Sequence, residues 1–184
     1  MLQYLPNCLT FSRLLLTLPL GLLIVRQEFG WALAVGLIAG ITDALDGFAA
    51  RRLQAFSRFG AALDPIADKL LVLVVFLSFA YIELIPWYLA AIVIGRDLII
   101  VSGALGYHFL IGPFAFAPTR LSKLNMFLQI SYCVLLLLAQ VLPGIPAAAI
   151  TAGAVIIIVI ALASGIDYVL SWGSRAAREN RNQR

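Results

Sequence analysis

The stretch LNMFLQISYCVLLLLAQVLPGIPAAAITAGAVIIIVIALASGI, residues 124 to 166, carries no Asp, Glu, Lys, Arg or His. A membrane-spanning helix needs roughly 20 mostly apolar residues. This run holds two of them, broken at Leu142-Pro143-Gly144-Ile145-Pro146, where two prolines and a glycine interrupt helical propagation. Working outward, residues 98 to 119 form another long stretch without Asp, Glu, Lys or Arg. Four shorter uncharged runs lie at 14 to 25, 29 to 42, 70 to 82 and 84 to 95. Their helices must take charged residues into their ends or interiors to reach across a bilayer. The economical division is six helices, over residues 8 to 26, 30 to 52, 60 to 82, 86 to 109, 120 to 141 and 147 to 172. The expected fold is an all-α integral membrane protein with six transmembrane helices, a single domain over 1–184.

Composition agrees. Hydrophobic residues make up 62% of the 184 and charged residues 12%, with a mean hydropathy of +1.00. A soluble domain is about half apolar and about a quarter charged, so soluble globular, disordered and nucleic-acid-binding classes are excluded. Residues 14 to 25 have the length of a signal-peptide core. No basic segment precedes them, however, Arg13 adjoins them, and Arg26-Gln27-Glu28 is not a small-residue cleavage site. They are read as part of the first membrane helix. The excess of 13 Lys+Arg over 9 Asp+Glu sets orientation, because positive loops stay cytoplasmic. With the N-terminus inside, Arg51, Arg52, Arg58, Arg120, Lys123, Arg175, Arg178, Arg181 and Arg184 all fall on the cytoplasmic side. Both termini are therefore expected in the cytoplasm, in a cytoplasmic (inner) membrane, with the basic tail against anionic lipid head groups. Cys8 and Cys133 sit in apolar runs without CxxC spacing and read as packing residues. Trp31, Trp87, Tyr88 and Trp172 fall at span ends, where amphipathic rings settle at the interface.

The chemistry gathers between the second and third helices, in Asp43-Ala-Leu-Asp46-Gly47-Phe-Ala-Ala50-Arg51, then eight residues, then Gly60-Ala-Ala-Leu-Asp64-Pro-Ile-Ala-Asp68-Lys69. Asp43, Asp46 and Gly47 share one helix face by spacing, as do Asp64 and Asp68 if the helix is intact there. Pro65 disfavours helical geometry at Asp64 and predicts a start or kink at that point. A short basic connection lets the two faces be antiparallel neighbours, so that four carboxylates meet near the cytoplasmic boundary. Asp43 would lie ~20 Å into its helix. Four carboxylates side by side in a low-dielectric setting require a cation between them. Oxygen-only ligands point to Mg²⁺, Mn²⁺ or Ca²⁺ rather than zinc, though the spacing is not that of an EF-hand. Gly47, Ala50 and Gly60 leave room for a ligand near the backbone. Arg51, Arg52 and Arg58 supply positive charge beside the metal, the arrangement expected for a diphosphate. Ordinary charged helix ends with Asp paired to Arg are the bland alternative. Acidic residues paired across two membrane helices make the functional reading the stronger one.

Those residues resemble the CDP-alcohol phosphatidyltransferase signature D-x2-D-G-x2-A-R-x8-G-x3-D-x3-D, with every fixed position present. Asn7-Cys-Leu-Thr10-Phe-Ser-Arg13 is similar to that family's N-terminal N-x-L-T-x-x-R, and six helices is its usual count. The resemblance implies that Asp43, Asp46 and Asp64 are the principal metal ligands, and that Asp68 joins the metal site and acts as general base. It further implies that Gly47, Ala50, Arg51, Gly60 and Thr10 lie at the cytidine nucleotide. The implied reaction transfers the phosphatidyl group of CDP-diacylglycerol to an acceptor hydroxyl with release of CMP, with no covalent enzyme intermediate, in a homodimer dependent on a divalent cation, Mg²⁺ or Mn²⁺.

For the acceptor, Arg96 and Asp97 lie about halfway along the fourth helix, near mid-bilayer by rise per residue. Adjacent residues point about 100° apart, so the two are not expected to pair with each other. Arg96 with Arg120, Lys123 and Arg58 would form a basic pocket for an anionic acceptor, and internal pairing with other helices is the alternative. The segments Gly95-Arg96-Asp97 and Pro118-Thr119-Arg120-Leu121-Ser122-Lys123-Leu124-Asn125 look more like the cardiolipin-synthase branch, whose acceptor is phosphatidylglycerol, than the branch using glycerol-3-phosphate. Met126 departs from that pattern, and myo-inositol and serine are less favoured acceptors. A different class, a small cation transporter using the Asp cluster, accounts for buried carboxylates but not for the fixed spacing of Gly47, Ala50, Arg51 and Gly60. His108 reads as a polar residue near a helix end, and Asp167 as paired or snorkelling.

Overall fold

The computed structural model describes residues 5–53, 58–110 and 119–182, with side chains over 15–42, 68–103, 119 and 121–168. Every regular element among them is α-helical: α1 (Leu5–Val25), α2 (Phe29–Leu53), α3 (Arg58–Tyr81), α4 (Trp87–Leu110), α5 (Arg120–Val141) and α6 (Ala147–Asn182). The expected ends of the first five agree to within three residues. α6 instead runs ten residues past its expected end, because 173–182 holds three Arg, two Ala and a Glu, contains no proline, and so propagates the helix. α3 neither starts nor ends at Pro65; it begins seven residues earlier and continues beyond. α5 and α6 hold the two stretches, Leu121–Val141 and Ala147–Tyr168, that among the described residues are long and apolar enough to cross a membrane. Leu15–Val25 and Phe29–Thr42 are shorter apolar stretches.

The turns explain where the helices stop. The α1–α2 connection is closed by the Gln27 N–H on the Ile24 carbonyl and the Glu28 N–H on the Leu23 carbonyl, both 2.9 Å. This is a Schellman cap, and it puts Gln27 in the left-handed region at φ 61°. α3 ends the same way, with Glu83 at φ 59° and the Leu84 N–H on the Phe79 carbonyl at 2.9 Å. Between α5 and α6, Gly144 takes φ 107°, which a side chain would oppose. α5 begins at Arg120 because Thr119 caps it, its hydroxyl oxygen accepting the Ser122 N–H at 3.2 Å.

The chain divides into two compact units, 1–86 with 133–146, and 87–132 with 147–184. In the first, α1 packs on both α2 and α3, burying Leu20, Ile24, Ala32, Phe76 and Phe79. Neighbouring α1 residues serve the two contacts. Leu20 lies against α2 near Gly36, while Gly21 lets α1 approach α3 so closely that an added Cβ would fall 2.6 Å from Val74 Cγ1. In the second unit α4 packs on α6, with Leu89, Val93 and Ile100 of the former and Ile157, Ala161 and Tyr168 of the latter buried. Large apolar side chains also stand exposed on all six helices: Leu18 is 67% accessible, Trp31 69%, Phe127 66% and Val159 61%. Water does not favour such faces; hydrocarbon does.

Candidate active site

The two halves of the acidic motif occupy two helices. Asp43, Asp46, Gly47, Ala50 and Arg51 are residues of α2, and Arg58, Gly60, Asp64 and Asp68 are residues of α3. Helical backbone throughout each segment keeps Asp43 and Asp46 one turn apart on one face. Because α3 is unbroken across Pro65, Asp64 and Asp68 likewise share a face. This register suits a multi-carboxylate cation site, since each helix then offers hard oxygen donors one turn apart. α1 is the common packing partner of both motif-bearing helices. Asp68 and Lys69 are half-buried and each engaged in an interaction. The side chains of Asp43, Asp46, Gly47, Ala50, Arg51, Arg58, Gly60, Asp64, Thr10 and Arg120 lie outside the described ones, and with them the convergence of the four carboxylates. Among the described residues, no three metal-ligating side chains gather.

The polar centre that the described side chains do display is built on Arg96. Only 8% of this residue is accessible, so each guanidinium nitrogen needs an acceptor. Nη1 donates to Asp97 Oδ1. Nη2 donates to Ser122 Oγ of α5 at 3.0 Å and to Ser164 Oγ of α6. Nε is buried without a partner among the described residues. One expectation is corrected here. Arg96 does pair with Asp97, because a long arginine stem bends back along the helix surface and recovers the angle that the backbone imposes. Of its other partners, Ser122 lies in the first turn of α5, and Ser164 about 25 Å along α6, near the middle of that helix. Lys123 itself is exposed, so among the described residues it is the serines and Asp97, not a second cation, that surround Arg96.

Three further polar residues were not singled out by sequence. Ser164, fully buried, sits in the small-residue run Ala161-Leu162-Ala163-Ser164-Gly165, which reads as simple packing. Asn125 and Gln129, 0% and 2% accessible, retain amide atoms unpartnered among the described residues, both on Asn125 and the Nε2 of Gln129. Ser122, Asn125 and Gln129 are spaced three and four apart, a polar stripe along an otherwise apolar helix, and that spacing is the signal that could have found them.

A family model for CDP-alcohol phosphatidyltransferase matches residues 3–166. The chain belongs to that family. Among curated CDP-alcohol phosphatidyltransferase relatives, the human cardiolipin synthase (CMP-forming) is 37% identical over 141 residues, 68% of this chain and 47% of the relative. A fission-yeast cardiolipin synthase and mitochondrial hydrolase fusion protein is 37% identical over 182 residues, 91% of this chain and 31% of the relative. The CDP-diacylglycerol--glycerol-3-phosphate 3-phosphatidyltransferase of Pseudomonas fluorescens is 39% identical over 101 residues, 52% of this chain and 51% of that protein. The chain thus spans about half the length, or less, of these relatives.

Proposed function

We propose that this chain is an integral membrane enzyme of phospholipid synthesis, moving the phosphatidyl group of CDP-diacylglycerol onto a hydroxyl of a glycerol-type anionic acceptor and releasing CMP. The observation that carries the reading is the complete family signature set on two uninterrupted helices, α2 and α3, with each Asp pair in register. Asp43, Asp46, Asp64 and Asp68 are the residues that would hold a divalent cation, Mg²⁺ or Mn²⁺. Bound there, it neutralises charge developing on the diphosphate. Gly47, Ala50, Arg51, Gly60 and Thr10 receive the nucleotide. Asp68 accepts the proton of the acceptor hydroxyl as that oxygen bonds to the lipid-bearing phosphorus; the phosphorus–oxygen bond to CMP breaks, and its electron pair leaves with CMP. Burial among like charges raises a carboxylate's affinity for that proton.

The exposed apolar side chains on all six helices support six membrane spans; the arginines and lysines of 51–58, 120–123 and 175–184 support placing both termini and the acidic motif at the cytoplasmic side of a cytoplasmic membrane, and assembly as a homodimer is part of the same reading. Arg96, Arg58, Arg120 and Lys123 supply the positive charge for the acceptor. Glycerol-3-phosphate and phosphatidylglycerol are the candidate acceptors. Phosphatidylglycerol is favoured because the relatives aligned over the larger shares of this chain are named cardiolipin synthases. The test is release of labelled CMP by the purified full chain with each acceptor. Release should stop on chelation by EDTA, return with Mg²⁺ or Mn²⁺, and fall about 10²- to 10⁴-fold in a folded Asp68→Asn variant. Chelation-insensitive release, or full activity in Asp68→Asn, would overturn the assignment.

A further inference from the structure

The partners of Arg96 are of two kinds. Ser122 of α5 and Ser164 of α6 accept hydrogen bonds from Nη2. Both are neutral, so they fix where the guanidinium stands without compensating its charge. Asp97, on Nη1, supplies the negative charge paired with it among the described residues. A buried guanidinium needs such a counter-charge, and losing it costs far more than losing a neutral hydrogen bond. The two kinds also differ in how firmly they are placed. A serine hydroxyl stays close to its own backbone in every rotamer. Asp97 follows Arg96 directly in α4, where the backbone aims the two about 100° apart, so their ion pair rests on side-chain rotation alone. Asp97 is also the more accessible of the two, its side chain 16% against 7% for Arg96. Arg96 lines a groove of about 460 Å³ between α4 and α6 and keeps an Nε–H without an acceptor among the described residues. A guanidinium clamped by neutral groups, with a spare donor and a counter-ion able to swing clear, is arranged for anion exchange.

We infer that Asp97 is an internal competitor for Arg96: its carboxylate holds Nη1, and the phosphate group of an incoming ligand displaces it by rotation of the Asp97 side chain, with α4 unmoved. Asp97 thereby sets how tightly a phosphate group is held, as a positioning residue that acts through Arg96. The inference rests on the proposed reading, in which Arg96 supplies positive charge for the acceptor, and adds to it a negative group of the protein's own that the ligand must outcompete. Arg96, Asp97, Ser122 and Ser164 all belong to the second unit, so the exchange is complete within it. An ion pair that serves stability alone makes the opposite forecast: neutralising Asp97 weakens the fold, and no added anion repairs it.

The experiment measures binding rather than turnover, on the full chain in a phosphate-free maltoside detergent. Inorganic phosphate is added in one arm and short-chain phosphatidylglycerol in the other, which tells a free phosphate group from a lipid-borne one. Asp97→Asn keeps the shape and removes the competing charge. Its thermal midpoint should fall without phosphate and recover with it. Its Kd for the phosphate group should tighten about tenfold or more in at least one arm, the low end of the coupling seen for close charge pairs. Asp97→Glu retains the charge and should bind within about twofold of the unaltered chain. Adding Arg96→Gln to Asp97→Asn should abolish the response. Asp97→Ser repeats the test should Asp97→Asn fail to fold. A midpoint that phosphate does not restore, a Kd equal to that of the unaltered chain in both arms, or a response that survives the loss of Arg96 would each overturn the inference. Those results leave the transferase reading standing; absence of CMP release with every acceptor defeats that reading and not the exchange, which binding alone reports.

Discussion

Ser164 has no charge and little bulk, yet it holds the guanidinium of a residue 68 positions away in the chain. A hydrogen bond to a buried charged group contributes about 1.5–3 kcal/mol. Ser164→Ala should therefore destabilise the folded chain by about that amount, read as a lower thermal midpoint in detergent. A change below a few tenths of a kcal/mol would mean that Arg96 is held by Asp97 and Ser122 alone. Glycines divide by their surroundings. Gly21→Ala forces a methyl against the stiff, β-branched Val74 and should destabilise by about 1–3 kcal/mol. Gly95→Ala meets open space and should be neutral, or stabilising by up to about 1 kcal/mol through helix propensity. Equal midpoints for the two variants would refute the close approach of α1 to α3. Arg96 was legible in the sequence as a charge stranded in an apolar run. Its serine partners were not, because nothing in local spacing ties residue 96 to residues 122 and 164.

The helices themselves were readable almost to the turn, since uninterrupted apolar runs leave few places to stop. Prolines and Gly144 mark the α5–α6 break openly. The caps at Gln27 and Glu83 carried no such mark: both positions require left-handed backbone, for which glycine is the usual signal, and neither has it. The same mismatch makes a prediction. Gln27→Gly and Glu83→Gly should each raise stability by about 0.5–1 kcal/mol, as relief of strain exceeds the added freedom of the unfolded chain. A loss of stability in both would show that these side chains make contacts worth more than the strain. The acidic motif was legible in full from spacing, and helical backbone at its positions bears out the register. Of the start or kink expected at Pro65, the start is not there: α3 begins at Arg58, because proline disfavours a helix by a few kcal/mol at most, which tertiary packing can override.

For the molecule as a whole, the proposed six spans with both ends on one side would make a topology that labelling can read. In a chain whose Cys8 and Cys133 are replaced by Ser, Gln27→Cys and Glu83→Cys should react with a membrane-impermeant maleimide applied outside intact cells. Asn182→Cys should react only after the membrane is opened. The reverse pattern would invert the orientation, and labelling of all three from outside would remove the bilayer from the account. The sequence proposes an orientation through the placement of its arginines and lysines, and the labelling pattern tests it. How α1 to α6 distribute into two units was not legible in the sequence, since α5 contributes to both and no periodicity announces its division after Tyr132.

The uninterrupted run of α6 through Asn182 bears on how the protein sits at its boundary with water. At 1.5 Å per residue its 36 residues extend about 54 Å, against a hydrocarbon core of about 30 Å. Nearly half of that rod must stand clear of the oil or lean steeply through it. A flexible tail would drape over head groups at any depth; in the proposed membrane setting a helical mast would carry positions 175, 178 and 181 at a height set by the tilt of the span. The chain thereby carries its own plumb line, and thinning or thickening the surrounding bilayer should register first as a change in how far that mast projects.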